Sequence, residues 1–194
     1  MMHYLENHLL SSAQFGFLRK KCTTLQLLDC LNFMTEHIDS GVPIDVVLLD
    51  LQKAFDSVVH SKLLAKLRAY GIAGHVLTWI TSFLTNRQQR VKVNSSFSQW
   101  SAVLSGVPQG SILDPLLFIL YINDAPDSIG SGFVRLFADD TKLLKPITGA
   151  AACADLQSNI SQFFDWCNRW QITINRKNQL LYMWVGTTPS LCIL

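Results

Sequence analysis

An α+β fold is predicted for this chain by three observations. Val46-Val47-Leu48-Leu49 is a continuous apolar run, as a strand covered on both faces requires. Phe133-Val134-Arg135-Leu136-Phe137 and Thr141-Lys142-Leu143-Leu144 have strand-like residue choice on either side of Ala138-Asp139-Asp140, which reads as a hairpin. Ala152, Leu156, Ile160, Phe163, Phe164 and Cys167 recur at helical spacing and form one apolar stripe.

Taken in order, Arg19-Lys20-Lys21 precedes a helix over 24–39, and a strand over 44–51 ends on Asp50-Leu51. A helix over 61–70 has Ser61 as its N-cap and stops at Gly71, the place that glycine favours after a helix. A second helix covers 74–85. Arg87-Gln88-Gln89-Arg90-Val91-Lys92-Val93-Asn94 reads as a polar strand, and 88–94 pairs with 97–104 as a hairpin. Pro115 opens a helix over 115–122, since its fixed φ suits the first turn. The hairpin 133–144, a helix over 150–168 and strands near 171–174 and 179–185 complete the order. Strands flanked by helices on one face match a split βαβ, ferredoxin-like arrangement. Repeats and low-complexity segments are absent.

A chain of 194 residues holds one domain with a sizeable core, two at most. Hydrophobic residues at 49% against 15% charged predict surface normally covered by neighbouring domains, or a poorly soluble fragment. Cys22, Cys30, Cys153, Cys167 and Cys192 show no CxxC pair or metal spacing, which predicts reduced thiols. Met1-Met2-His3-Tyr4-Leu5-Glu6 lacks the basic start and apolar centre of a signal peptide. The run Ile112 to Ile122 is short and broken by Asp114 and Pro115, so it does not span a membrane. An intracellular protein of the nucleus or cytoplasm, neither secreted nor membrane-bound, is the expectation. A net charge of +2 is too small to argue nucleic-acid binding by itself. Arg19, Lys20 and Lys21, and Arg87, Arg90 and Lys92, are clusters that would make sequence-independent, salt-sensitive phosphate contacts. A solvated face is the plainer reading of each. The five tryptophans suit core or interface better than base stacking.

Asp139 and Asp140 are the most informative residues. Two adjacent ionised carboxylates repel, and such a pair is tolerated where a cation offsets the charge. Carboxylate oxygens are also what Mg²⁺ takes, alongside substrate phosphates. Turn chemistry alone is the competing explanation. Asp50 stands at the end of the apolar strand and hence at a sheet rim, although a strand-terminal turn residue would look the same. Between them runs Leu104-Ser105-Gly106-Val107-Pro108-Gln109-Gly110-Ser111-Ile112-Leu113-Asp114-Pro115, where two glycines flank a proline. Such a loop exposes backbone N–H groups and lets another backbone or a base come close; by itself it is only a turn.

Together and in this order, Leu49-Asp50-Leu51-Gln52-Lys53-Ala54-Phe55-Asp56, Ser105-Gly106-Val107-Pro108-Gln109-Gly110-Ser111 and Phe137-Ala138-Asp139-Asp140 closely resemble reverse transcriptases of non-LTR (jockey-like, LINE-type) retrotransposons. The resemblance reaches back to Tyr4-Leu5-Glu6 and Gln14-Phe15-Gly16-Phe17, and forward to Trp170-Gln171-Ile172-Thr173-Ile174-Asn175, covering roughly residues 3–185. It implies an RNA-directed DNA polymerase that adds dNTPs to a primer 3′-hydroxyl on an RNA template. The implied fold is the palm of a right-hand polymerase over 44–186, with a partial fingers segment over 1–43, an unmatched tail over 187–194, and the thumb absent. Asp50, Asp139 and Asp140 would be the catalytic, metal-binding set, with Asp140 the less intimate ligand and Leu51 lending its backbone carbonyl. Two Mg²⁺ ions about 3.5–4 Å apart, or Mn²⁺ in their place, would clamp the attacking and leaving oxygens. Metal charge and positioning would dominate the rate. Phe55 would block a ribose 2′-hydroxyl, a role that position alone does not separate from that of a core aromatic. Gln109 and Gly110 would pack on the incoming nucleotide and template base, while Asp56 orders the strand-to-helix turn.

This chain departs from the family at several points. Asp114 stands where glycine is usual; it would cap the following helix, or strain the turn if φ there is positive. The family's lysine three residues after an asparagine like Asn175 would act as a general acid near the leaving pyrophosphate. Here that place is Asn178 and Lys177 falls one residue short, a displacement that counts against efficient chemistry, and Lys177 is expected to be nucleotide-binding. The family's fingers begin upstream of Met1, and its endonuclease and thumb have no counterpart here, so a truncated element is expected. Its partners would be RNA template, DNA primer, dNTPs and the missing fingers, thumb and endonuclease domains, with no membrane. The alternative is a catalytically silent palm remnant that at most binds nucleic acid or protein. A metallonuclease ranks third, because Ser105 to Gly110 has no role in one.

Overall fold

Ile44–Leu49 forms strand β1, and its alternation decides which helices cover which face of the sheet. The computed structural model describes residues 9–175 and the backbone of 180–184. The elements before the sheet's second strand are α1 (Thr23–Asp39), β1, α2 (His60–Ala69) and α3 (Gly74–Leu84). Four two-residue strands follow, β2 (Gln88–Gln89), β3 (Lys92–Val93), β4 (Ser96–Phe97) and β5 (Ser101–Ala102), then α4 (Asp114–Ile122). After a 3₁₀ turn at Pro126–Ser128 come β6 (Phe133–Phe137), β7 (Asp140–Pro146), α5 (Ala150–Trp170) and β8 (Leu180–Trp184). The main sheet has the order β6-β7-β1-β8, with every neighbouring pair antiparallel. The fold is therefore α+β.

Odd-numbered Val47 and Leu49 point into the main core with Leu136 and Leu143, against Leu63 and Leu67 of α2, Phe118 and Tyr121 of α4, and Phe163 and Trp166 of α5. Even-numbered Ile44 and Val46 point the other way, onto Leu144, Phe133 and the α1 residues Cys30, Phe33 and Met34. The expectation of helices on one face is thus corrected. An apolar strand with both faces sealed needs a helix on each, and α1 supplies the second. Arg135 forms a salt bridge to Asp29 of α1, and Lys142 Nζ donates to Gln26 Oε1 at 2.8 Å. Helix α4 is apolar on all sides and buried from Leu116 to Ile122, which makes it the centre of the core.

Other expectations shift for local reasons. His60, not Ser61, opens α2, and Val59 is its N-cap with no side-chain cap bond. The buried His60 ring is bonded through Nε2 to the Gly106 carbonyl at 2.9 Å, which draws the helix start one residue earlier. Gly71 does end that helix, at φ +80. The long hairpin expected over 88–104 is two short ribbons, β2 with β5 and β3 with β4. Ser98 divides them, because its Oγ accepts the Val91 N–H at 2.9 Å where a backbone carbonyl would continue the ladder. No strand forms over 171–174. Helix α5 runs on to Trp170 and ends in left-handed Gln171, leaving one bridge between Ile174 and Leu51.

The free cysteines among the described residues are Cys22, Cys30, Cys153 and Cys167, while Cys192 lies outside them. Among those residues no helix is long and apolar enough to cross a membrane. Apolar surface is present as expected: Leu25, Leu27, Leu28 and Leu31 stand out from α1.

Candidate functional site

The sheet brings the end of β1 beside the tip of the β6–β7 hairpin. Leu49 is the last residue of β1 in register with β7, opposite Thr141, so Asp50 emerges at the rim where Asp139 and Asp140 also stand. The hairpin closes with the pair Phe137 and Asp140, leaving Ala138 and Asp139 as a two-residue loop. Ala138 has φ +53, a left-handed conformation that costs a residue with a Cβ about 1–2 kcal/mol. Asp139 is half-buried and Asp140 is exposed. Burial pushes the Asp139 carboxyl up; its own backbone N–H opposes this, and the charges of Asp140 and Asp50 push it further up. The three aspartates of the sequence reading therefore stand at one rim of the sheet.

Asp50 is fixed by Asn175, whose Nδ2 donates to Asp50 Oδ2 at 2.9 Å and whose N–H donates to the Asp50 carbonyl at 2.9 Å. The Gln52 N–H donates to the Thr173 carbonyl at 2.7 Å, and the Leu51 carbonyl takes no part in these bonds. Among the described residues, no group of three or more His, Cys, Asp or Glu side chains, Asp50, Asp139 and Asp140 included, is placed so that it could hold a metal ion. Carboxylate oxygens are nonetheless the donors that Mg²⁺ takes, one or two at a time beside water and phosphate ligands. The donors present therefore suit that ion.

The glycine–proline loop is laced onto the segment after Asp50. Gly106 N–H donates to the Val58 carbonyl at 2.8 Å, Val107 N–H to the Phe55 carbonyl at 3.1 Å and Ser105 Oγ to the Asp56 carbonyl at 2.8 Å. Gln109 Nε2 donates to Asp56 Oδ1 at 2.9 Å, so Asp56 anchors the loop as well as the turn. Gly106 has φ +86, and a Cβ there would fall 2.9 Å from Asp56 Cα. Gly106→Ala is expected to lower stability by about 2 kcal/mol and loosen the loop from Asp56, as read by thermal unfolding.

Asp114 is not a strained glycine replacement, since its φ is not positive. It is the buried first residue of α4, and its Oδ2 accepts the Gly110 N–H at 3.2 Å. Burial pushes its carboxyl up, the Gly110 N–H pulls it back, and Asp56 adds to the rise. Its side chain thus ties the loop down and makes no cap bond to the helix.

Phe55 is half-buried, stacked on Phe118 with centroids 4.1 Å apart and edge-on to Phe17 at 6.3 Å. Gln109 and Gly110 are exposed. Arg19 and Lys20 are exposed, whereas Lys21 turns inward: its Nζ donates to the Ser12 and Gln14 carbonyls at 2.6 and 2.7 Å. Burial pulls the Lys21 ammonium down, Arg135 adds to that, and Asp29 opposes it. On the ribbons, exposed Arg90 lies 4.0 Å from the Phe97 ring centroid and 4.5 Å from that of Trp100, and Lys92 is 5.4 Å from Phe97. Arg87 is half-exposed just before β2. Lys177 and Asn178 lie outside the described residues, as do the 187–194 tail and Tyr4-Leu5-Glu6. Sequence reasoning missed the roles of Asn175, Asp56 toward Gln109, and His60. Asn175 carried a signal, since it ends Trp170-Gln171-Ile172-Thr173-Ile174-Asn175, but nothing in its spacing pointed to Asp50.

A family profile described as "Reverse transcriptase (RNA-dependent DNA polymerase)" matches residues 1–183. The chain is 32% identical over 183 residues to the "Probable RNA-directed DNA polymerase from transposon X-element" of Drosophila melanogaster, covering 91% of this chain and 20% of that protein. It is 32% identical over 170 residues to the "RNA-directed DNA polymerase from mobile element jockey" of the same species, covering 84% of this chain and 18% of that protein. The chain thus spans about a fifth of the length of these curated relatives. Among solved structures, a Candida tropicalis telomerase in complex with a fragment of telomeric RNA superposes with a TM-score of 0.70 at 9% identity, over 94% of this chain and 32% of that one. At that identity the likeness concerns the fold.

Proposed function

The chain belongs to the reverse transcriptase (RNA-dependent DNA polymerase) family, and from that premise we propose that it is the palm of an RNA-directed DNA polymerase joining dNTPs to a primer 3′-hydroxyl. The observation that carries this reading is the joint between β1 and the β6–β7 hairpin, which brings Asp50 to the same sheet rim as Asp139 and Asp140. The sheet order β6-β7-β1-β8 supports a split βαβ, ferredoxin-like palm. We assign residues 44–186 to the palm and 1–43 to the fingers side.

Asp50, Asp139 and Asp140, with the Leu51 carbonyl, would hold the divalent ions. Bound Mg²⁺, or Mn²⁺ in its place, supplies positive charge where negative charge develops during phosphoryl transfer. The chain's own residues do the rest. Asn175 orients the Asp50 carboxylate through its 2.9 Å bond. Phe55, backed by Phe118, offers a rigid wall beside the turn after Asp50, suited to excluding a 2′-hydroxyl. Gln109 and Gly110 sit on a loop fixed by Asp56 and Asp114, where they would meet the nucleotide and template base. Lys177 joins them on sequence alone. Arg19 and Lys20, with Arg87, Arg90 and Lys92 on the ribbon side, would contact phosphates of template and primer, and Lys21 would hold the loop that carries the first two.

Primer extension on an RNA template with Mg²⁺ and dNTPs tests this reading, with Asp50→Ala as control. Extension by the natural chain that disappears in the variant is the expected result. Equal signals from the two folded proteins would reduce the chain to a catalytically silent palm remnant that at most binds nucleic acid or protein.

A further inference from the structure

We propose that Gln14 is a positioning residue: its buried carboxamide clamps the backbone of Ala138 and so sets where Asp139 and Asp140 stand. The inference rests on the polymerase reading for its catalytic consequence, though not for the clamp itself. Ala138 needs such a clamp, because it is left-handed at φ +53 in a two-residue loop where glycine is the usual occupant. Gln14, 2% exposed, supplies it. Its Oε1 accepts the Ala138 N–H at 2.9 Å and the Gly16 N–H at 2.7 Å, and its Nε2 lies 3.4 Å from the Ala138 carbonyl oxygen as donor.

The strip that carries Gln14 is itself fixed along β6. The Phe15 N–H donates to the Leu136 carbonyl at 2.8 Å, and the Leu136 N–H donates to the Ala13 carbonyl at 2.9 Å. Gln14 and Leu136 form a parallel bridge that adds this strip to the sheet edge. Gly16 completes the fit, because a Cβ there would run into the Ala138 backbone nitrogen. A neutral amide suits the place. It gives two N–H groups an acceptor and gives a carbonyl a donor, while adding no charge beside Asp139 and Asp140. Glutamate would keep the acceptors, lose the donor and place a further negative charge near the aspartates.

The test is amide hydrogen exchange across residues 136–141 of the full chain, without metal or nucleic acid, joined to primer-extension kinetics. Gln14→Ala is expected to speed exchange at Ala138 and Asp139 by about tenfold or more while exchange in α4 stays within about twofold. It is expected to lower kcat by about tenfold with KM for dNTP nearly unchanged. Adding Ala138→Gly should recover most of kcat, since glycine takes the left-handed turn without strain. Should Gln14→Ala fail to fold, Gln14→Met keeps the side-chain volume and takes its place. Unchanged hairpin exchange in a folded variant overturns the clamp, whatever the activity. A fall in kcat matched by faster exchange throughout the core, and not recovered by Ala138→Gly, overturns it too, because that is general destabilisation. If the natural chain extends no primer, the polymerase reading fails and the exchange result alone decides the clamp.

Discussion

Asp139→Asn is expected to reduce primer extension by about a thousandfold, roughly 4 kcal/mol of transition-state stabilisation, while leaving the fold intact or slightly more stable. The two halves of this expectation have one cause. Burial, Asp140 and Asp50 hold the Asp139 carboxyl above its ordinary range, so the folded chain binds a proton there more readily than the unfolded chain does. Such a group contributes stability below its unfolded pKa and loses that contribution as pH rises through its folded pKa. Wherever Asp139 is ionised in the folded chain, its burial beside like charges is therefore a cost to folding. Asparagine has the same shape and no charge, so it removes that cost together with the charge on which a divalent ion depends. Single-turnover primer extension and thermal unfolding at pH 7 measure the two effects separately. Activity and stability falling together would assign Asp139 a structural role and sink the catalytic one.

Much of the arrangement around Asp139 was legible in the sequence. The apolar run Val46 to Leu49 reads as a strand sealed on both faces, and β1 lies between β7 and β8. Asp50 at its end and Asp139 at a hairpin tip follow from strand patterning, since each ends an apolar segment that must stop at the sheet rim. Other features escaped because they depend on groups far apart in the chain. Nothing local says that Asn175 bonds to Asp50, or that His60 reaches the Gly106 carbonyl and moves the start of α2. The second helix layer was missed because α1 covers the sheet mainly with Cys30, Phe33 and Met34, while Leu25, Leu27, Leu28 and Leu31 stay exposed. Its apolar residues surround the helix, and no single stripe marks the buried side. The Asp114 alternatives were undecidable without a backbone angle. The structure supports neither: φ is not positive, no cap bond forms, and the carboxylate instead accepts the Gly110 N–H.

Lys66→Met is expected to be neutral or stabilising at pH 7, whereas Asp124→Ala should cost about 3 kcal/mol. Lys66 is 5% exposed at its side chain, ion-paired with Asp124 and bonded to the Tyr121 carbonyl. Its ammonium lies 3.7 Å from the Trp170 ring centroid, 5.1 Å from that of Trp166 and 5.3 Å from that of Tyr121. Removing Asp124 leaves this charge buried without its counter-ion and strips the Trp166 indole N–H of its acceptor at 3.1 Å. The low end of the range for a broken buried pair applies, because the Asp124 side chain is 39% exposed. Burial pulls Lys66 from 10.5 to about 8, against the opposing pull of Asp124. Between those values the unfolded chain binds more protons than the folded chain, so the lysine's contribution to stability rises with pH across that window. Tyr121 and Cys167, each pushed up to about 12 by burial, act with the opposite sign at higher pH. Subtracting the Lys66→Met curve from that of the natural chain cancels those terms and isolates the lysine. Chemical denaturation from pH 7 to 10.5 should show the natural chain gaining on the variant by up to about 3 kcal/mol. Parallel curves would mean that Lys66 keeps an ordinary ammonium. The aromatic box would then compensate fully for its burial, and the cost of Asp124→Ala should shrink accordingly.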